Sequence, residues 1–158
     1  MPTLAAMRQG PIFAPRVRMV LTGTPRVNEI VKRIIAAALK VHRSFGPGLL
    51  EAPYCLALAI ELAKLGLSFL VEVPLKVSYE GRDLGVGYKL DFVVAECVVV
   101  EVKAVERLLP IHRHQLITYL KLSGHPAGLL VNFNVPLLKD GLMRVLNDRP
   151  RDHSKAFV

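Results

Sequence analysis

Three ionisable side chains, Asp91, Glu101 and Lys103, lie inside two strongly apolar stretches of the sequence, 84–95 and 98–105. Both stretches predict β-strands, and the second is so continuously apolar that we expect it to be buried. Carboxylate oxygens are the ligands that Mg²⁺ prefers, and Mg²⁺ keeps several waters when it binds to protein. These residue types therefore predict a metal site with room for a phosphate and an attacking water.

The turn between the two strands brings the carboxylates together. If a three-residue turn at 95–97 makes the strands a hairpin, Asp91 stands directly opposite Glu101, with Cβ atoms ~4.5–5.5 Å apart. Lys103, two residues after Glu101, lies on the same face of its strand. Two carboxylates that close repel unless they share a proton or a cation, so we predict a site for Mg²⁺ or Mn²⁺. A buried salt-bridge triad without chemistry is the alternative.

Two helices joined by a Gly-Pro-Gly break precede the strands. Apolar residues recur at helical spacing from Asn28, which can cap the first helix, and a second helix is predicted over 49–65. Near the start of the second helix, Glu51 could point over the open end of the sheet. The alternative is that Glu51 only complements the helix dipole.

The remaining elements surround the hairpin. Alternating apolar residues over 69–79 predict a strand, and Pro74 places it at a sheet edge or at a bulge. A helix is predicted over 111–122, followed by strands over 127–133 and 142–146. The predicted order is therefore α-α-β-β-β-α-β-β, an α/β fold.

The third helix carries two polar residues on one side. Gln115 and Tyr119 are four residues apart and face the same way on a helix. Taken alone, the pair is an ordinary polar stripe.

Several motifs in this order resemble a known group of proteins, the GxxExxY proteins within the PD-(D/E)XK nuclease superfamily. The resemblance spans roughly residues 31–145. The motifs that carry it are Gly48-Leu49-Leu50-Glu51-Ala52-Pro53-Tyr54, Asp91, Glu101-Val102-Lys103, Gln115-Leu116-Ile117-Thr118-Tyr119 and Gly128-Leu129-Leu130-Val131-Asn132-Phe133.

The resemblance implies a restriction-endonuclease-like core, with a mixed β-sheet flanked by α-helices, and a catalytic site. It implies that Glu51, Asp91 and Glu101 bind Mg²⁺ (or Mn²⁺), and that Lys103 positions or activates the water and stabilises the phosphorane. The expected activity is hydrolysis of DNA phosphodiester bonds, and whether cleavage is internal or terminal stays open.

The same resemblance implies supporting residues and a partner. Gln115 and Tyr119, with Tyr54 of the GxxExxY motif, are expected to support the site and to approach DNA. The alternative function is a catalytically inactive module that retains the nuclease fold and binds nucleic acid or another partner. A homodimer or an unidentified protein partner also stays open.

The charge is concentrated at the N-terminus. The chain has a net charge of +8, and residues 1–50 contain eight Lys or Arg against one acid, Glu29. We predict a flexible basic leader at 1–26, a nuclease-like domain at 27–147 and a loose tail at 148–158. The leader either holds phosphate backbones or is a solvated tail.

Composition also excludes several classes of protein. Cys55 and Cys97 lack metal-ligand spacing, which argues against a disulfide scaffold or a cysteine zinc site and favours the reducing cytoplasm. Charged residues interrupt every apolar stretch before it reaches the ~18 residues of a membrane span, so no membrane association is expected.

Overall fold

The computed structural model describes residues 24–148, and their elements follow the predicted order. The bounds are α1 Thr24–Phe45, α2 Glu51–Lys64, β1 Phe69–Tyr79, β2 Arg82–Val94, β3 Val98–Lys103, α3 Pro110–Ser123, β4 Ala127–Asn132, a 3₁₀ helix Leu138–Gly141 and β5 Leu142–Leu146.

Within this part of the chain the strands form one mixed sheet in the order β1-β2-β3-β4-β5. Neighbouring strands are antiparallel except β3 and β4, which are parallel because α3 crosses over between them. β1 lies at one edge, as Pro74 indicated, since a residue without an N–H is tolerated there. The fold is thus the predicted α/β core with a mixed sheet flanked by helices.

Helices cover both faces of the sheet. α1 and α2 pack on one face over Phe92, Val94, Val100 and Val102, whereas α3 packs on the other over Val93 and further apolar residues. β3 and β4 are buried along almost their whole length, as strands with both faces covered must be.

The start of α1 differs from the prediction. The helix begins at Thr24, and Asn28 lies exposed within it, so Asn28 is not the cap. Pro25 fits the first turn, where its missing N–H would have no helical partner. The end of the predicted leader, residues 24–26, therefore belongs to α1. The rest of the leader and the tail beyond residue 148 lie outside the described residues.

β1 and β2 change faces halfway along. Val71 and Phe92 pack toward α1 and α2, whereas Val73 and Leu90 pack toward α3. Simple alternation, which the sequence predicted for β1, would keep Val71 and Val73 on one face. The change occurs at Glu72, whose φ of 48° turns the strand. This twist lies at the level of Asp91 on the neighbouring strand, because Val71 pairs with Phe92 and Val73 with Leu90.

No helix in residues 24–148 combines the length and the apolar character that crossing a membrane requires.

Candidate active site

The β2–β3 hairpin has the predicted register. Val94 pairs with Val98 and Phe92 with Val100, and Asp91 and Glu101 are the residues that come next on the two strands. Their side chains bond to the backbone there: the Asp91 N–H donates to Glu101 Oε1 at 3.3 Å, and the Val102 N–H donates to Asp91 Oδ2 at 2.8 Å. The carboxylates thus lie between the two strands and side by side.

Burial makes this pair of carboxylates costly to ionise. Glu101 is only 4% exposed, and burial, followed by the negative charge of Asp91, raises its pKa to about 8. Burial also raises the pKa of Asp91, although the hydrogen bond from Val102 and the charge of Lys103 act in the opposite direction. Without a bound cation, the pair therefore keeps a proton to a higher pH than two ordinary carboxyls would.

Lys103 lies beside the carboxylates, as its position on the strand predicted. Its Nζ is 3.9 Å from Glu101 Oε2, and the side chain is mostly buried. The ammonium lowers the pKa values of both Asp91 and Glu101, yet burial outweighs this effect at each. Lys103 is thus positioned to act on any group that the carboxylates hold.

Glu51 reaches the same site from the first residue of α2. Partial burial, then the charge of Asp91, raises the pKa of its carboxyl, whereas Lys103 lowers it. These interactions place Glu51 within electrostatic range of the hairpin residues, although Glu51 itself is exposed. The structure therefore brings all four predicted catalytic residues to one region.

The elbow before α2 explains the spacing of the GxxExxY motif. Gly48 has a φ of 112°, a backbone conformation that residues with a Cβ atom rarely adopt. The Tyr54 hydroxyl donates to the Gly46 carbonyl at 2.6 Å and accepts from the Leu49 N–H at 3.2 Å. Tyr54, one turn after Glu51, thus ties the elbow to the first turn of α2.

The ring of Tyr54 is fully buried and stacks on Phe133, with centroids 4.5 Å apart. This position favours a supporting role for Tyr54 over contact with DNA. It also gives a structural reason for Phe133, which follows β4 at the end of another motif.

Gln115 and Tyr119 approach the site from α3. Burial, then the charge of Glu101, raises the pKa of the Tyr119 phenol to about 12, and a hydrogen bond from Gln115 opposes the rise. The two residues therefore face one side of the helix, as predicted, and Tyr119 lies within range of the carboxylates. The ring of Tyr119 also contacts that of Tyr88, with centroids 5.4 Å apart.

Residues 28–145 match the family profile of the PD-(D/E)XK nuclease superfamily. The chain belongs to this superfamily. Its mixed sheet and flanking helices agree with the fold of such a nuclease, and Asp91, Glu101 and Lys103 all lie within the matched residues. No curated protein and no solved structure matches the chain.

The donor set of this PD-(D/E)XK domain fits a hard divalent cation only in part. PD-(D/E)XK nucleases generally use divalent metal ions. In residues 24–148, no three His, Cys, Asp or Glu side chains converge closely enough to hold a metal, so Glu51 does not complete a ready-made set with Asp91 and Glu101. Two carboxylates with raised pKa values do suit Mg²⁺, which often takes one or two of them plus waters and phosphate oxygens.

Sequence reasoning missed Asn132, which fixes the segment after Lys103. Its side chain is fully buried, accepts from the Val105 N–H at 3.1 Å and donates to the Val105 carbonyl at 2.8 Å. β3 therefore ends at Lys103 and not at Val105 as predicted, because a side chain replaces the strand as the partner of Val105. A buried Asn at a strand end was the available signal.

Glu72 and Cys55 were also missed as neighbours of the PD-(D/E)XK site. The charge of Glu72 contributes to the raised pKa of Asp91. Burial, then the charges of Asp91 and Glu51, raises the pKa of the Cys55 thiol. Cys55 packs partly against the core, and it lies one turn after Glu51 on α2. Helical spacing could have revealed Cys55, but nothing local revealed Glu72.

An open groove lies elsewhere on the domain. The first turns of α1, the turn between α2 and β1, and Ala95 line it. None of the predicted site residues belongs to this groove.

Proposed function

We propose that this protein is a divalent-metal-dependent nuclease that hydrolyses DNA phosphodiester bonds, and that it belongs to the GxxExxY group. One observation carries the proposal: Asp91 and Glu101 are held side by side in a poorly solvated place, with Lys103 beside them. Two buried carboxylates with raised pKa values cost folding free energy, and a bound cation or a reaction that uses them would account for that cost.

The roles follow from the positions of the side chains. Asp91 and Glu101, assisted by Glu51, would hold Mg²⁺ or Mn²⁺. When bound, the metal supplies positive charge for the phosphate and lowers the pKa of a water. Lys103, with its Nζ 3.9 Å from Glu101, would orient that water and stabilise charge on the phosphoryl oxygens.

Supporting residues keep these groups in place. Tyr54 holds the elbow before Glu51, and the Gln115–Tyr119 pair lies on the α3 side of the carboxylates. Precise positioning matters because small displacements in an active site cost large factors in rate.

Cleavage of linear and supercoiled DNA with Mn²⁺ tests the proposal. We expect the wild type to cut, and Lys103→Ala and Asp91→Asn each to lose at least about 100-fold in rate. Lys64→Ala is the matched control, because Lys64 is an exposed lysine at the far end of α2. If wild type and Lys103→Ala cut at equal rates, the activity comes from a contaminant and the proposal is wrong.

A non-cleaving module is the second candidate, and a specific observation favours it. Backbone N–H groups of Asp91 and Val102 already bond to the carboxylates, and the described residues offer no three-ligand metal set. Titration calorimetry with Mn²⁺ and a DNA-binding assay separate the candidates. Metal and DNA binding without any cleavage would favour the inactive module.

Two further expectations belong to this proposal. The partner is nucleic acid, with DNA preferred, and a homodimer or a protein partner is left to measurement of the oligomeric state. The cytoplasmic location rests on the sequence argument from Cys55 and Cys97, which are both free thiols.

A further inference from the structure

An exposed aromatic ring lies beside the candidate active site. Tyr88 of β2 is 48% exposed, whereas Tyr54, Phe92 and Tyr119 are almost completely buried. Aromatic side chains of soluble proteins are usually mostly buried, so a half-exposed ring at a functional site is a candidate contact for a ligand.

The position of Tyr88 is set by its neighbours. Its ring contacts that of Tyr119, with centroids 5.4 Å apart and planes inclined at 45°. Its backbone pairs with Leu75, and a Cβ at Gly87 would lie 2.8 Å from the Leu75 carbonyl oxygen. The backbone of Tyr88 is therefore paired within the sheet, next to a position where only glycine fits against β1.

Tyr88 is connected to the carboxylates through Tyr119. Tyr119, its ring partner, lies in the field of Glu101 and Asp91. Tyr88 precedes Asp91 by three residues on one strand, which corresponds to about 10 Å. The base of a nucleotide whose phosphate lies near Asp91 could span this distance and contact Tyr88.

We propose that Tyr88 stacks on an unpaired base next to the scissile phosphate, so that the preferred substrate is single-stranded DNA or a frayed end. The proposal rests on the proposed function for the position of the phosphate. Inside a duplex the faces of the bases are covered by their neighbours, whereas an unpaired base can present its face to a tyrosine ring.

Binding of a fluorescein-labelled single-stranded oligonucleotide, measured with chelator so that no cleavage occurs, tests the proposal. We expect Tyr88→Ala to weaken binding about fivefold or more, the lower end of the effect of losing one stacked base, and Tyr88→Phe to bind like the wild type. Binding to a blunt duplex should not change. Tyr79→Ala is the matched control, because Tyr79 is 67% exposed at the far end of the β1–β2 hairpin.

A spectroscopic readout distinguishes stacking from a merely structural role. An oligonucleotide containing 2-aminopurine should be quenched by the wild type and by Tyr88→Phe, but not by Tyr88→Ala or Tyr88→Leu. Leucine is chosen because it keeps an apolar contact with Tyr119. Thermal melting checks that this variant folds like the wild type.

The outcomes also separate this proposal from the nuclease function. Unchanged single-strand binding and quenching in Tyr88→Ala would overturn it, as would equal losses for single strands and duplexes. Tyr88-dependent quenching without any cleavage in Mn²⁺ would support stacking and would contradict only the nuclease function.

Discussion

In the folded protein, burial disfavours the charged forms of the Asp91 and Glu101 side chains. Each carboxylate accepts a backbone N–H, which replaces part of the lost hydration. Those bonds and Lys103 lower the pKa values, but burial still dominates at both residues. A bound divalent cation would offset the cost of ionising both carboxyls, because its positive charge takes the place of a proton.

The pH dependence of stability provides the first prediction. A carboxyl whose folded pKa is raised favours folding while it is protonated, and that contribution is lost as the pH rises through the folded value. For Glu101 this window runs from the ordinary 4.5 to about 8. We therefore expect the melting temperature in chelator to fall as the pH rises from 5 to 8. Glu101→Gln should flatten this profile, and an equally steep profile in that variant would contradict the assignment.

The response to metal is the second prediction, again at the residue scale. Mn²⁺ at a hundredfold excess over its dissociation constant should stabilise the wild type by ~2.7 kcal/mol at neutral pH. Asp91→Asn removes one of two negative charges that repel each other, so this variant should be at least as stable as the metal-free wild type. It should also lose the stabilisation by Mn²⁺. The same response in both proteins would show that the metal binds elsewhere.

At the scale of elements, the helix α2 depends on its elbow for position. Leu50 precedes the helix without a capping side chain, and the Tyr54 hydroxyl bonds to the elbow instead. The same hydroxyl thereby holds the elbow that leads into Glu51. A stabilising contact and a proposed catalytic residue therefore lie in one short segment.

Removing that hydroxyl is the third prediction. Tyr54→Phe keeps the ring stacked on Phe133 but leaves the Gly46 carbonyl and the Leu49 N–H without this partner. We expect unfolding by urea to show a loss of about 1–2 kcal/mol, together with weaker Mn²⁺ binding. Tyr79→Phe, which alters an exposed tyrosine, is the control. Unchanged Mn²⁺ affinity in Tyr54→Phe would show that the hydrogen bonds of the elbow do not affect metal binding.

Asn132 gives the fourth prediction, also for an element. Asn132→Ala leaves both the N–H and the carbonyl of Val105 without their side-chain partner, and it removes a fully buried group. We expect a loss of about 2–3 kcal/mol in urea unfolding. Asn28→Ala is the matched control, because Asn28 is exposed within α1 and should change stability by less than about 0.5 kcal/mol. A loss of about 1 kcal/mol there would instead indicate a capping role.

At the scale of the whole molecule, the distribution of charge matters most. Residues 1–23 contain three arginines, Arg8, Arg16 and Arg18, and no acid, whereas residues 51–158 are nearly neutral. Positive charge that contacts phosphates releases counterions, which makes DNA binding steeply dependent on salt.

Deleting residues 1–23 is the fifth prediction. We expect weaker DNA binding and a salt dependence of log K that is flatter by about 0.9 for each arginine that contacted a phosphate. Replacing the three arginines by lysine keeps the charge and should preserve the slope. A deletion variant with the slope of the full chain would mean that this segment does not bind DNA.

Local patterns in the sequence determined much of this protein. The element order, the edge position of β1 and the register of the β2–β3 hairpin were all predictable. The physical reason is that alternation of period two and a three-residue turn fix a hairpin register within a few residues. The family pattern could likewise be read from motifs that keep their order along the chain.

Only the tertiary structure decided which distant residues meet at this site. The pairing of β1 with β2 shifts between Lys76 and Ser78, so no local rule places Glu72 level with Asp91. The contact of Tyr88 with Tyr119 joins a strand to a helix that follows much later. Likewise, Asn132 binds Val105 only because β3 and β4 lie side by side. Such contacts depend on how elements pack, which local periodicity does not encode.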